Sequence, residues 1–342
     1  MSLGRRAFLR SSLAGCAGGL VSGVLGCAGT PRGDRRAFGD SRVKVPLVGQ
    51  GTYKLGEDPP RRAEELRALR LGLDLGLTHI DTAEIYADGG AEALVGEAIS
   101  GRRHHVFLVS KISPDNASYE GSLRAVDASL RRLRTDHLDL YLLHWAPTRY
   151  PLAETMRAFE AMVERGKVRA IGVSNFELPA QLIEAQAALT RTRIACNQMK
   201  YNLADRHIER ELLPYCRAQG IAVTGYSPFA DFPSTVSRPG AVATLEEIGA
   251  KHGASAHQTA LAFLFRAGVF QIPRAATREH VRDNAGALRL RLDASEVERL
   301  DRVFPSCARE RDTASREDGE EALVHAATDL VSAGLSESSF LH

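Results

Sequence analysis

Three residues that close short apolar runs, and a tyrosine just beyond one of them, carry groups that complement one another chemically. Asp81 closes Leu77–Ile80, and Tyr86 follows five residues later in the run Asp-Thr-Ala-Glu-Ile-Tyr. Lys111 closes Val106–Ser110 and His144 closes Leu138–Leu143. Hydride addition to a carbonyl leaves negative charge on oxygen, and a proton donor must meet it. A free phenol, with a pKa near ~10, holds its proton at neutral pH but is a sluggish acid. A neighbouring ammonium favours the phenolate and lowers that pKa. Lys111 can supply the ammonium, Asp81 can pair with Lys111, and His144 can hydrogen-bond and orient the substrate oxygen. General-acid assistance of this kind is worth about 10²–10⁴ in rate. Singly, each residue also fits a bland role: a turn cap, a surface cation, a core imidazole, a packed phenol. Placed together at successive strand ends, they make a reaction group.

The elements that must position them form a regular alternation from Val43 to about Phe304. Apolar runs at Leu77–Ile80, Val106–Ser110, Leu138–Leu143, Val168–Val173, Ile194–Gln198, Ile221–Gly225 and Val269–Ile272 read as buried parallel strands. Amphipathic stretches between and after them predict helices at Arg61–Leu75, Ala91–Ser100, Ser118–Leu133, Leu152–Arg165, Pro179–Ala188, His207–Gln219, Ala256–Arg266 and Glu279–Leu288. With a first strand at Pro46–Gly49, eight strand–helix units predict an α/β fold of the (β/α)8 TIM-barrel type. The alternative, a doubly wound sheet, calls for a glycine-rich phosphate turn after its first strand. Gly49-Gln50-Gly51 lacks the third glycine and the helix start. In a barrel, Asp81, Lys111 and His144 share the mouth at the carboxyl ends of the strands.

The runs Asp-Thr-Ala-Glu-Ile-Tyr (81–86), Val-Ser-Lys (109–111), Leu-Leu-His-Trp (142–145) and Gly-Val-Ser-Asn-Phe (172–176) resemble the aldo-keto reductase family, in order and at suitable separations from Val43 to Phe304. The resemblance implies Tyr86 as proton donor, with Asp81, Lys111 and His144 as its partners. It also implies a nicotinamide cofactor. Ser174, Asn175 and Gln198 match positions that hydrogen-bond the carboxamide, which needs both a donor and an acceptor. Tyr226 matches the aromatic that stacks under the nicotinamide ring, with Ser227 beside it. Gly51, Thr52 and Tyr53 match the close backbone approach to the cofactor.

The segment 272–284 resembles the family's adenosine-phosphate segment with substitutions. Arg274 stands for the usual Lys, His280 for the usual Arg, and Asp283 for the usual Glu before Asn284; Thr277 completes the set. Arg274 suits bidentate binding of a 2′-phosphate. An unperturbed His280 is mostly neutral at pH 7 and grips phosphate less well. NADPH is therefore the expected cofactor and NADH the alternative, with Arg278 or Arg282 available to compensate. Tyr53, Trp145 and Phe229 are expected to wall the substrate pocket. The short loop after His144 argues against a long specificity flap.

The N-terminus reads as an address. Arg5-Arg6 followed by Phe8-Leu9, then the uncharged Ser11–Leu25, resembles a twin-arginine export signal. Val24-Leu25-Gly26-Cys27 resembles a lipobox, which would put a lipid on Cys27, although Val24 and Leu25 depart from its usual residues. The chain accordingly divides into an export signal (1–27), a linker (28–42), the barrel (43–304) and a C-terminal extension (305–342) with an amphipathic stretch at Glu320–Leu330. The expected location is the periplasm or the cell envelope, or the cytoplasm if the signal does not act. The 342 residues carry a formal net charge of +2, with basic residues scattered among acids, which gives no nucleic-acid footprint. Cys196, Cys216 and Cys307 are far apart, without metal spacing, and read as reduced thiols. Two rival readings share the barrel: a slow, NADPH-binding redox-sensing or regulatory subunit, and a phosphate-sugar isomerase or metal-dependent lyase. The second lacks its ligand spacing and its phosphate cup.

Overall fold

The computed structural model describes residues 35–230 and 240–306. The export segment, Cys27, the stretch Glu320–Leu330 and Cys307 lie outside the described residues. Eight parallel strands, each hydrogen-bonded to the next in chain order, curl into the barrel: β3 (Gln50–Gly51), β4 (His79–Asp81), β5 (Phe107–Ile112), β6 (Leu140–Leu143), β7 (Ile171–Ser174), β8 (Ile194–Lys200), β9 (Ala222–Tyr226) and β10 (Phe270–Gln271). Bridges Val48–Gln271 and Gly51–Arg274 join the first strand to the last. The helices are α1 (Arg62–Asp74), α2 (Gly90–Ala98), α3 (Tyr119–Leu133), α4 (Leu152–Glu164), α5 (Pro179–Ala187), α6 (Leu212–Ala218), α7 (Ala241–Lys251), α8 (Ala256–Phe265), α9 (Arg278–Gly286) and α10 (Ala294–Val303).

Alternation along the strands sorts side chains between the barrel interior and the helical layer. Ile80, Leu108, Ile112, Tyr141, Leu143, Ile171, Val173 and Val223 pack under the helices. The interior fills in layers. Phe107, Leu140, Cys196, Ala222 and Phe270 form the lower part, with Val109 and Leu142 above them. Above these, continuing the same inward-facing rows, come Asp81, Lys111, His144, Ser174 and Gln198, all buried. The mouth is thus polar because the inward rows of five strands, β4 to β8, run into polar residues. Cys196 and Cys216 are free and buried.

Three expectations are corrected. The linker at 28–42 does not extend through its last residues. Arg35–Ala37 (β1) pairs antiparallel with Lys44–Pro46 (β2), and this hairpin closes the bottom of the barrel. Its anchor is Phe38, 3% exposed, with ring centroids 4.8 Å from Phe107 and 4.9 Å from Phe270. Burying such a ring is worth roughly 1.5–3 kcal/mol, which orders a stretch whose composition suggests none. Gly39 makes the turn at φ +59°, where a Cβ would meet the Gly220 carbonyl. The first barrel strand is Gln50–Gly51 rather than Pro46–Gly49, because Leu47 and Val48 go into the lower plug. The helix expected over His207–Gln219 divides into a 3-10 turn at His207–Glu209 and α6. Pro214 has no N–H and is tolerated only in a first turn, so the helix starts at Leu212. Helices α7 and α10 are additional to the eight expected.

Candidate active site

The buried Lys111 ammonium is the hub. Its Nζ donates to Asp81 Oδ2 (2.6 Å), to the Thr82 carbonyl (2.9 Å) and to Tyr86 Oη (3.3 Å). Nζ also lies 4.9 Å from the centre of the Tyr86 ring. Asp81 is held from its other side by Gln198 Nε2, which donates to Oδ1 at 2.7 Å. Burial pulls the Lys111 pKa down, but the Asp81 carboxylate and the Tyr86 oxygen outweigh it, and the pKa is raised. The ammonium therefore stays charged.

Tyr86 departs from expectation in one respect. Burial raises its phenol pKa, and Lys111 offsets that rise only in part. The phenol is accordingly protonated across the neutral range, the state a proton donor needs. Lys111 instead waits beside the oxygen to stabilise the phenolate left after transfer. Tyr86 is gripped edge-on by Tyr53 (centroids 5.4 Å apart) and His144 (5.7 Å).

His144 is neutral. Burial, then the Lys111 charge, lowers its pKa to about 2. Its Nδ1 is buried without a hydrogen-bond partner. A proton on Nε2 leaves only a lone pair unpaired at Nδ1, so His144 presents an N–H donor. Trp145 stacks on the imidazole at 4.0 Å and 8° and fixes its plane. The backbone is strained around the same mouth. Of six non-glycine residues with positive φ among the described residues, five lie in loops that follow the strands: Lys54, Ala87, Asp88, Asn175 and Ser227.

The residues expected to hold the nicotinamide end cluster beside this hub. Ser174 Oγ donates to the Gln198 carbonyl (2.9 Å), and Asn175 Nδ2 donates to the His144 carbonyl (2.9 Å). Tyr226 Oη donates to Asn175 Oδ1 (2.8 Å), which pins a half-buried ring at the mouth with Ser227 exposed next to it. Thr52 is buried, its Oγ1 donating to the Asp81 carbonyl (2.9 Å). At Gly51 a Cβ would stand 2.5 Å from the Ile272 carbonyl, so only glycine lets the first and last strands approach here.

At the phosphate end Arg274 and His280 are exposed, and Thr277 caps α9 by accepting from the His280 N–H. A helix N-terminus flanked by Arg274 suits a phosphate. Asp283 has another duty: its carboxylate accepts from Ser255 Oγ (2.8 Å) and ties α9 to α8, and Asn284 is buried. The donor set as a whole fits a nicotinamide dinucleotide: amides and a hydroxyl at one end, a ring face between, an arginine and a helix terminus at the other.

Of the expected pocket wall, Tyr53 (57% exposed) and Trp145 (44%) border the tetrad. Phe229 packs against the core, its ring 4.8 Å from His257. Sequence reasoning missed the Thr82 carbonyl and the Gln198 brace on Asp81. The second joins residues 117 positions apart and leaves no local signal.

This fold and this tetrad define a barrel oxidoreductase, and residues 47–304 match the aldo/keto reductase family. The chain belongs to that family. It is 46% identical over 265 residues to the methylglyoxal reductase YeaE of Escherichia coli (strain K12), covering 77% of this chain and 93% of the relative. It is 30% identical to the glyoxal reductase of Bacillus subtilis (strain 168), covering 76% and 89%. An aldo/keto reductase from Klebsiella pneumoniae, solved with NADP and acetate, superposes with a TM-score of 0.72 at 44% identity, covering 80% of this chain and 95% of that one.

Proposed function

We propose that this protein is an NADPH-dependent reductase of small aldehydes and ketones, with 2-oxoaldehydes of the methylglyoxal type as preferred substrates. The observation that carries the reaction is the buried Asp81–Lys111–Tyr86 cluster, in which a protonated phenol sits 3.3 Å from a fixed ammonium. When bound, NADPH supplies the hydride that the carbonyl carbon receives. His144 donates an N–H to the carbonyl oxygen and fixes its direction. Tyr86 gives its proton to that oxygen as charge develops. Lys111 stabilises the resulting phenolate, which solvent reprotonates. Support for the substrate class comes from the two relatives named as methylglyoxal and glyoxal reductases. Tyr53 and Trp145, both exposed, give a shallow aromatic rim suited to a small substrate.

The test is NADPH oxidation by the purified full chain against methylglyoxal, glyoxal, 4-nitrobenzaldehyde, simple ketones and quinones. Turnover highest on the 2-oxoaldehydes is expected. Failure to bind either nicotinamide nucleotide would overturn the reading. Slow oxidation of bound NADPH by every carbonyl would favour a sensing subunit instead.

The same proposal covers location. Arg5-Arg6 and the uncharged Ser11–Leu25 precede the family match, and they support export of the folded, cofactor-loaded protein by the twin-arginine route, with Cys27 as a lipid site. Arg5→Lys with Arg6→Lys is expected to retain the protein in the cytoplasm; continued export would refute the signal.

A further inference from the structure

The end of the barrel opposite the mouth is basic. Exposed cations Arg35, Arg36, Arg42 and Lys44 of the β1–β2 hairpin lie beside Arg193 and Arg217, which precede β8 and β9. These segments touch one another. The Asp40 N–H donates to the Gly220 carbonyl (2.9 Å), Arg193 donates to the Gln219 carbonyl (3.3 Å), and Arg217 donates to the Ala267 carbonyl (3.0 Å). The Arg36 guanidinium lies over Gly268. The surface is therefore continuous. Among the described residues none of these six cations has a carboxylate partner, and Asp40 is the acid within the patch. The mouth differs in kind: its loops mix exposed Glu57, Asp58 and Asp88 with Lys54 and Arg149.

The chain preceding Arg35 is attached at this same face. Its 34 residues include Cys27, the proposed lipid site, eight residues before Arg35. No helix among the described residues is long and apolar enough to cross a membrane. We infer that the bottom of the barrel is a docking surface for an anionic lipid bilayer, which holds the enzyme with its active-site mouth turned away from the membrane. Unpaired arginines and lysines at a bilayer surface attract acidic headgroups, and each is worth about fivefold in affinity. The patch lies where residues 1–34 join the fold, so an N-terminal membrane attachment and the cationic contact would act at the same end of the barrel. The attachment is the proposed lipid on Cys27 and rests on the export reading; the electrostatic contact stands without it.

The experiment is sedimentation of the full chain with phosphatidylcholine vesicles, with and without about 30 mol % phosphatidylglycerol, at low and high salt. The comparison variant carries Arg36→Glu, Arg42→Glu, Lys44→Glu and Arg193→Glu, all exposed and remote from the tetrad. The expected result is a preference for the acidic vesicles that weakens with salt and falls at least about a hundredfold in the variant. Carbonyl reduction by the variant is expected to stay intact, and the KM of the vesicle-bound parent is expected not to change. Equal binding to both lipids, or an unaffected variant, would overturn the inference and leave attachment to the N-terminal segment alone. Capture by polyglutamate with no response to phosphatidylglycerol would overturn it in favour of an acidic protein partner. A rise in KM on vesicles would overturn the orientation. A chain that docks on acidic vesicles but reduces no carbonyl would sustain the surface and refute the proposed function.

Discussion

Replacing Lys111 by Met separates the two duties of the ammonium. The side chain is fully buried and bonded to Asp81, Thr82 and Tyr86. Methionine fills similar volume but leaves the 2%-exposed Asp81 opposite Gln198 alone. Breaking a buried pair from one side typically costs about 3–5 kcal/mol, a large share of the roughly 5–15 kcal/mol that holds a typical protein folded. Neutralising both partners, Asp81→Asn with Lys111→Met, removes the stranded charge and is expected to return most of that stability. Activity responds differently. With Lys111 gone, nothing stabilises the Tyr86 phenolate, and kcat is expected to fall by about 10²–10⁴ in the single and the double variant alike. Urea unfolding gives the first quantity and steady-state reduction of methylglyoxal the second. A single variant as stable as the parent would refute the buried-pair argument. A double variant with parental kcat would refute the role of the charge beside the phenol.

Other consequences follow from the same contacts. His79 is fully buried, neither nitrogen has a partner, and burial followed by the Lys111 charge lowers its pKa to about 3. The unfolded chain takes up this proton first, near pH ~6.5. Stability is thus complete above that pH and is lost by roughly 1.4 kcal/mol per pH unit as the medium is acidified toward 3; unfolding of His79→Leu at several pH values is expected to lack this component. Because Tyr86 stays protonated and His144 neutral through the neutral range, reduction is expected to show no ionisation of either group between about pH 6 and 9, and a stopped-flow pH profile with a break there would contradict both assignments. Arg274→Ala is expected to weaken NADPH binding by about 10–100-fold with little effect on NADH, read by fluorescence titration, and His280→Arg is expected to tighten NADPH.

Much of this was legible because barrel strands announce themselves as apolar runs and end on their functional residues. Asp81, Lys111 and His144 each directly follow such a run, and all three converge. What lay hidden was long-range or context-dependent. The hairpin at residues 35–46 has few apolar residues, and it is ordered by burial of Phe38 and Val45 in the lower plug. Phe229 has the composition of a pocket residue, but its ring packs beside His257, on a helix 28 positions away. The raised pKa of Tyr86 follows from burial, which spacing does not report. Helix α10 did carry a local signal, Asp293 capping and Glu296 answering three residues later. It falls outside the strand–helix alternation and so draws no notice in a count of eight units.

The central claim is that Tyr86 delivers the proton. Its most direct test is a single turnover of Tyr86→Phe loaded with NADPH and mixed with methylglyoxal. The account predicts cofactor binding equal to that of the parent, because among the described residues the phenol oxygen is bonded to Lys111 alone, and oxidation of the bound NADPH slowed by about 10²–10⁴. Oxidation at the parental rate would contradict it.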